Sequence, residues 1–338
     1  MNKKLMASGI TLSMLLCQSA VANANTEDGS EQEPTTEQQE NQSNEDGQKD
    51  TELKDKIFVE GGDLNQQQIE DTKKELDVND SYKTHKITTE DVQQFLGTQY
   101  DTIYSSASIT PKKFGKGVDV TIKTPETITK VTEQQYTNAA ITAGIENAKI
   151  EISSVSEVTG DGALTGIYKA YADEGMALDQ NDVQNANDEM SKLSQIKDEQ
   201  EQSGGKGGYS DEAMNNAIAD IKEQIANKKA DNQELSDDDI RKIVELTLKA
   251  KGLDKVLSDN QIEIVNNIAI NAAHSKALNK DPKSYAKQSA KLKDSLKDSA
   301  NKFKDKVEDN KGFFASLWQK IVNIWNAVIG FFASLKFW

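Results

Sequence analysis

Two short motifs in the C-terminal half contain the residue types of a serine acyl-transfer site. Ser284-Tyr-Ala-Lys287 has the Ser-x-x-Lys spacing in which a lysine activates a serine nucleophile, and Ser258-Asp-Asn260 matches a second signature of the penicillin-interacting serine enzymes. The two motifs stand in reverse order, and no Lys-Thr-Gly sequence follows them. Serine and lysine are abundant in this region, so we interpret both matches as chance and assign no catalytic residue to them.

Two histidines, one acidic loop and scattered carboxylates are the remaining residues that could do chemistry. His85 and His274 are the only histidines and stand far apart, which favours hydrogen-bonded surface histidines over a zinc site or an acid–base pair. Asp179-x-Asn181-Asp182 resembles part of a calcium loop, but it lacks the glycine and the distal glutamate of that loop. Hydrolysis would instead need carboxylates that converge in a deep pocket. Candidates for that role are Asp161, Glu157 and Asp119.

A glycine-rich segment, Gly160-x-Gly162-x-x-x-Gly166, is a loose relative of the dinucleotide-binding fingerprint. The backbone N–H groups of such a turn can bind a phosphate. However, the helix after this turn leads into another polar helical stretch over 178–200 and not into the second strand of a βαβ unit. Because glycines 162 and 166 lie one helical turn apart, the segment favours close packing of a helix on a sheet.

The strands that must position these residues are visible between residues 57 and 154. β-Branched residues alternate with polar ones over 102–109 and 118–123, and 148–152 repeats the pattern. This alternation is typical of strands with one buried face. Residues 57–59 form a further short apolar run. We therefore predict a sheet of at least three strands with helices packed on it.

Helix signals alternate with these strands. A helix is predicted from about Leu64 to Leu76, and a capping-box-like start at Thr88 predicts a short helix that ends at Gly97. A second such start at Thr132 predicts a helix that runs to Ala143. Together the elements predict a small mixed α+β domain over 57–202.

Beyond a glycine-rich hinge at 203–208, the pattern is helical to the end of the chain. Helix starts are predicted at Ser210, within Leu235–Asp239 and at Ser258. The apolar stripes that follow them predict a small antiparallel helical bundle over 209–279. The fold class is therefore α+β, with the mixed domain followed by the bundle and by further helices.

A lysine-rich helix is predicted over 280–311. From Lys280 onward the chain has twelve lysines and six acidic residues, although its total formal charge is −16. Apolar residues recur with an 11-residue relation, which predicts one narrow contact stripe. They are Tyr285, Leu292, Leu296, Phe303 and Val307. The acidic body and the single arginine, Arg241, argue against a nucleic-acid partner.

The N-terminus has the pattern of a secretory signal peptide. Met1-Asn-Lys-Lys4 is basic, Leu5–Leu16 is mostly apolar, and Ala22-Asn-Ala24 fits a cleavage site. We therefore predict a signal peptide over 1–24 and an exported protein, extracellular or in the cell envelope. The only cysteine, Cys17, lies in this leader, so the mature chain can form no disulfide.

Residues 25–56 are predicted to form a disordered acidic linker. Glu, Gln, Asn, Thr, Ser, Gly and Asp dominate this stretch, and it has almost no apolar residue. Such a composition cannot bury enough surface to offset the entropy lost on ordering.

The last 27 residues, 312–338, hold all three tryptophans and five of the nine phenylalanines. The hexapeptide Gly-Phe-Phe-Ala-Ser-Leu begins at Gly312 and again at Gly330, and 18 residues are about five helical turns. Both copies therefore lie on one face of a predicted amphipathic helix. The predicted membrane-binding residues are Phe313, Phe314, Leu317, Trp318, Ile321, Trp325, Ile329 and Phe332.

Several partners could cover this aromatic face. An apolar helix face can pack on the body of the protein or on a second copy, and it can also lie on lipid. The aromatic residues and the preceding lysines favour an interfacial helix on anionic lipid. Lys320 and the amides in mid-segment disfavour a membrane-spanning helix, because burying them in lipid is costly.

Four separated motifs resemble the YpuA-like family of exported Gram-positive proteins, the domain of unknown function numbered 1002. The motifs are Ile57-Phe-Val-Glu-Gly-Gly-Asp-Leu64, Gly117-Val-Asp-Val-Thr-Ile122, Tyr136-Thr-Asn-Ala-Ala-Ile-Thr-Ala-Gly144 and Gly162-Ala-Leu-Thr-Gly-Ile167, the last followed by Lys169-Ala170. The resemblance extends over roughly Ile57 to Leu278. It implies a location in the cell envelope, and it supplies no catalytic residues.

These patterns predict an exported, non-enzymatic cell-envelope protein that its C-terminal helix attaches to the outer face of the membrane. The expected partners are anionic lipid at the membrane surface and an envelope protein or polymer, and no cofactor or metal is expected. The main alternative is an extracellular hydrolase or ligand-modifying enzyme of unknown chemistry. The aromatic tail alone is also consistent with a secreted pore-former.

Overall fold

Five strands form one mixed sheet at the centre of the N-terminal half. The computed structural model describes residues 53–97, 99–113, 117–176, 178–202 and 209–308. The strands are β1 (Lys56–Gly61), β2 (Tyr82–Ile87), β3 (Ser105–Pro111), β4 (Asp119–Ile122) and β5 (Ala148–Ser154). Their order in the sheet is β2-β1-β3-β5-β4. This confirms the predicted α+β class and the predicted sheet.

Helices surround the sheet and make up the C-terminal half of the described chain. The first five are α1 (Gln66–Glu75), α2 (Thr89–Leu96), α3 (Glu133–Thr142), α4 (Asp161–Asp173) and α5 (Gln180–Gln202). The later ones are α6 (Asp211–Ala230), α7 (Asp237–Lys251), α8 (Asp259–His274), α9 (Lys276–Lys280), α10 (Pro282–Ser295) and α11 (Lys297–Glu308). The predicted starts at Thr88, Thr132, Ser210 and Ser258 are confirmed, because each side chain accepts a hydrogen bond from a first-turn N–H group.

The sheet contains two parallel pairs on either side of an antiparallel strand. Helix α1 connects the parallel strands β1 and β2, and α3 connects the parallel strands β4 and β5, while β3 runs antiparallel to both β1 and β5. Side chains in register across the three central strands form apolar rows on one face. The rows are Ile57, Ile109 and Ile150, and Val59, Ala107 and Ile152.

Helix α4 packs very closely on this face because two of its residues are glycines. A Cβ atom at Gly166 would lie 2.5 Å from Val59 Cγ1, and a Cβ atom at Gly162 would lie 3.3 Å from Ser105 Oγ. The absence of side chains lets the helix backbone approach the strands. This contact supports the packing interpretation of the glycine-rich segment.

Helix α3 is buried on all sides between the sheet and the C-terminal helices. Every residue from Gln135 to Thr142 is buried. Tyr136, Ala139 and Ala140 belong to the apolar core on the sheet, whereas Ile141 belongs to a second core formed by α5 to α11. Small and polar residues therefore allow one helix to contact two layers at once, which joins the predicted α+β region to the predicted bundle.

Strand β2 was missed in the sequence analysis. Only Ile87 is buried in this strand, while Lys83, Thr84 and Lys86 are exposed. Edge strands have few core contacts, and lysines on an edge discourage pairing with other chains. The alternation of apolar and polar residues that identifies half-buried strands is therefore absent here.

The lysine-rich region after Pro282 contains two helices, α10 and α11, on either side of Leu296. The predicted apolar stripe is buried: Tyr285, Leu292 and Phe303 are 2%, 7% and 4% exposed. Helix α10 packs along α6, and α11 contacts α6 and α7. The lysines between the stripe residues remain largely on the surface.

Replacing Gly166 by alanine should lower the free energy of unfolding by about 1–2 kcal/mol, because the new methyl group overpacks the core against Val59 and Ile87. Gly162→Ala is the matched control. Its nearest neighbour is a rotatable serine hydroxyl, and alanine favours a helix over glycine by about 1 kcal/mol. Urea unfolding midpoints measure both variants, and equal stability of the two would contradict the packing described here.

Candidate functional site

The serine motifs have structural roles. Ser284 Oγ donates to Glu146 Oε2 at 3.0 Å, and the serine is buried, whereas Lys287 is exposed and three residues further along the same helix. Ser258 is the N-cap of α8. Neither serine has a hydrogen bond to lysine among the described residues, so the arrangement lacks the contact that activates the nucleophile in Ser-x-x-Lys enzymes.

Both histidines form hydrogen bonds to carboxylates. His85 on β2 places Nδ1 3.1 Å from Asp173 and Nε2 2.9 Å from Glu174, at the end of α4. His274, at the end of α8, lies 3.3 Å from Asp237. This confirms that the two histidines are separate and hydrogen-bonded. Within the described ranges, no group of three His, Cys, Asp or Glu side chains could hold a metal ion.

The carboxylates that were candidates for hydrolysis contact different groups. Asp119 on β4 lies between Lys112 and Lys291; partial burial opposes ionisation, but the two lysines lower its pKa. Asp161 lies in the first turn of α4 and accepts a hydrogen bond from Thr159, and burial raises its pKa. Glu157 is exposed in the loop before α4. Within the described chain, Asp119 and Asp161 interact with different residues, and no side chain interacts with both.

The acidic loop before α5 caps two helices. Asp179 Oδ1 accepts from the N–H groups of Asn181 and Asp182 at 3.0 and 3.3 Å, and its other oxygen pairs with Lys276, which lowers its pKa. Asp182 accepts from the N–H groups of Lys276 and Ala277 at the start of α9, and burial raises its pKa. These carboxylate oxygens are therefore occupied by backbone groups and one ammonium.

A groove of 740 Å³ lies where the ends of α3 and α4 meet the start of α5 and helix α9. We call it the α5–α9 groove. Helices α3 and α4 stop here because Gly144 and Gly175 adopt left-handed conformations, with φ of +81° and +79°. Ligand sites commonly have volumes of about 300–1,000 Å³. The groove therefore has the size of a binding site for a small molecule.

Three polar side chains at the groove have unused hydrogen-bonding capacity. Glu146 Oε1 and the ammonium of Lys280 have no partner among the described residues, and neither does the hydroxyl of Tyr171. Tyr171 is 3% exposed, and burial together with the negative charge of Glu146 raises its pKa. The sequence could not identify this set because the residues belong to separate segments of a highly charged chain.

An apolar pocket of 240 Å³ adjoins the groove. Leu178 and Gln180 line both cavities, so the two share a wall. Phe95 from α2 and Val183 from α5 complete much of the apolar surface of this pocket. The two cavities are therefore neighbours, one with charged and polar residues in its lining and one mostly apolar.

A buried ion pair connects α5 to α6 next to α3. Lys222 Nζ donates to Glu189 Oε1 at 2.6 Å, and the two side chains are only 1% and 2% exposed. Thr142 donates to the other Glu189 oxygen at 2.6 Å, and the Asn138 carbonyl accepts from Lys222 at 3.0 Å. Burial lowers the pKa of Lys222, and the attraction of Glu189 opposes this shift.

The hydrogen bonds continue along α3 and α6. Asn138 Nδ2 donates to Asn215 Oδ1 at 3.0 Å, and Asn215 donates in turn to the carboxylate of Asp211 at 3.1 Å. Thr132 donates to the same carboxylate at 2.9 Å. One signal in the sequence could have revealed this network: Lys222 falls between isoleucines on the apolar side of its helix. They are Ile218, Ile221 and Ile225.

Replacing each charged member of the buried pair by an apolar residue tests directly how the pair contributes to stability. Lys222→Met and Glu189→Leu should each lower the free energy of unfolding by about 3–5 kcal/mol, because each leaves the other charge buried and unpaired. The double variant should lose less than the sum of the two single losses. Urea unfolding measures all three, with Arg241→Met, which breaks an exposed pair with Glu263, as the control. If Lys222→Met and Glu189→Leu lowered the free energy of unfolding no more than Arg241→Met does, the buried pair would not have this role in stability.

The eight predicted membrane-binding residues lie outside the described residues, which end at Glu308. The predicted signal peptide and nearly all of the predicted linker also lie outside them. Across the described ranges, no helix combines the length and apolar character needed to cross a membrane. The attachment of the tail to lipid therefore stays a prediction from the sequence.

The groove and the buried network lie within a segment that matches a known protein family. The family model described as "Protein of unknown function (DUF1002)" matches residues 60–294. The chain is also 31% identical over 293 residues to the uncharacterised protein YpuA of Bacillus subtilis (strain 168). That match covers 84% of this chain and 91% of the relative. No solved structure matches the chain.

Proposed function

The chain belongs to the DUF1002 family of proteins of unknown function, and on this premise we propose that it is an exported, non-enzymatic binding protein of the cell envelope. Its C-terminal amphipathic helix holds it at the outer face of the membrane. The observation that carries this proposal is the aromatic helix predicted over 312–338, which directly follows a lysine-rich region in an acidic chain.

The exposed lysines before the tail support attachment to anionic lipid. Lys280, Lys283 and Lys287 are exposed and have no acidic partner within the described chain. Helix α10, which carries two of them, packs firmly on α6 through its buried stripe. Each lysine close to an anionic surface contributes about 1 kcal/mol to binding. The body can therefore be drawn to the membrane while the tail inserts its aromatic face.

The α5–α9 groove supports a binding role for the body. Glu146 and Lys280 present polar groups with free capacity to a preformed cavity. The serine at this site, Ser284, is buried and donates to Glu146. Because this serine is buried and does not line the groove, it is better suited to hold the carboxylate in place than to attack a substrate.

Truncation at Asn310 should abolish sedimentation with anionic vesicles, because the truncated protein lacks the aromatic face. The mature full-length protein should pellet with the vesicles, and salt should reduce but not abolish its binding, since lysines attract the lipid and aromatic burial holds the helix. Co-sedimentation at two salt concentrations measures this. Equal recovery of both proteins in the supernatant would show that the tail does not bind lipid.

Substitutions within the tail separate its two faces. Trp318→Ala with Trp325→Ala should weaken vesicle binding by several kcal/mol, at roughly 25 cal/mol per Å² of apolar area. Gln319→Ala with Asn326→Ala changes the polar face and should leave binding unchanged. Similar losses in both double variants would contradict one-sided insertion.

A further inference from the structure

We propose that the α5–α9 groove binds a short peptide with free termini, with the peptide ammonium at Glu146, its carboxylate at Lys280 and an apolar side chain in the adjoining pocket. This inference rests on the proposed binding function and gives it a ligand class. It does not depend on membrane attachment.

The charges available in the groove favour a zwitterion. Asp179 is paired with Lys276, and both oxygens of Asp182 accept backbone N–H groups of α9. These pairings leave Glu146 and Lys280 as the acidic and basic groups with free capacity among the described lining residues. A ligand with one ammonium and one carboxylate satisfies both groups, whereas an anion or a cation alone satisfies only one.

At the acidic end of the groove, a hydrogen bond fixes the position of the Glu146 carboxylate. Ser284 holds one oxygen of Glu146 at 3.0 Å, which leaves the other oxygen to accept a hydrogen bond from a ligand. The hydroxyl of Tyr171 is buried beside this carboxylate and has no partner in the described chain. A buried polar group without a partner is costly. The hydroxyl is not accessible from the groove, so the free oxygen of Glu146 is the group that receives the peptide ammonium.

The neighbouring pocket suits an apolar side chain on the peptide, in addition to its charged ends. The groove of 740 Å³ and the 240 Å³ pocket lined by Phe95 and Val183 are neighbours that share Leu178 and Gln180 as lining residues. A groove of this volume has room for a short peptide, whose apolar side chain can occupy the neighbouring pocket. A tripeptide with a central leucine has these three features.

Calorimetric titration of the mature full-length chain with the tripeptide Ala-Leu-Ala tests the proposal without vesicles. The free peptide should bind, and N-acetylation should weaken binding about tenfold or more, because it removes a charge-assisted hydrogen bond. Glu146→Gln should weaken binding of the free peptide to the level of the acetylated one. Lys280→Gln should weaken binding of the free peptide to the level that the unaltered protein shows for the peptide with a C-terminal amide. Because the Lys280 side chain is exposed, Lys280→Gln still tests the proposal if substitution of Glu146 disturbs folding.

Glu157→Gln and Lys86→Gln are the matched controls, since both residues are exposed and lie outside the groove lining. They should leave the affinity unchanged. Absence of binding at millimolar peptide would overturn the inference, and so would binding that is equally strong after acetylation. If vesicles still sediment the protein in either case, the membrane proposal stands and only the ligand assignment fails. If the protein neither bound the peptide nor sedimented with vesicles, the proposed function would be wrong as well.

Discussion

The buried ammonium of Lys222 imposes the strictest constraint on this structure. A charge that is 1% exposed must be neutralised and hydrogen-bonded, and only Glu189 on α5 and Asn138 on α3 are within reach in the described chain. Three helices must therefore keep one mutual arrangement to satisfy a single side chain. The pair need not add net stability compared with apolar residues, but it penalises every arrangement that separates its members.

The arrangement of these helices around the ion pair also determines the geometry of the α5–α9 groove. Its walls include the turn after α3 and the first residues of α5, and both helices contact the ion pair. Helix α9 is fixed separately, because Asp182 accepts two of its backbone N–H groups. On the opposite side, α4 is held against the strands by glycine contacts. A cavity with walls fixed in this way can bind a ligand with little loss of conformational entropy.

Local features could be predicted from the sequence, and contacts between distant residues could not. The caps at Thr88, Thr132 and Ser258 were predictable because the capping residues lie within one turn of each other. Strand β2 was not, because a polar edge strand lacks the periodic signal. The groove was not predictable either, since Glu146 and Lys280 are 134 positions apart and neither stands out in a chain with 96 charged residues. Lys222 lies among isoleucines on the apolar face of its helix, but nothing local in the sequence identifies Glu189 as its partner.

Native-state hydrogen exchange tests most directly whether the sheet and the helices form one cooperative body around the ion pair. We predict that the slowest amides of β3, β5 and α6 open with the same free energy, equal to that of global unfolding. If the amides of α6 and α10 instead exchanged at a clearly lower free energy while the sheet stayed protected, the helices would unfold independently. The buried pair would then not be the constraint that joins the two layers.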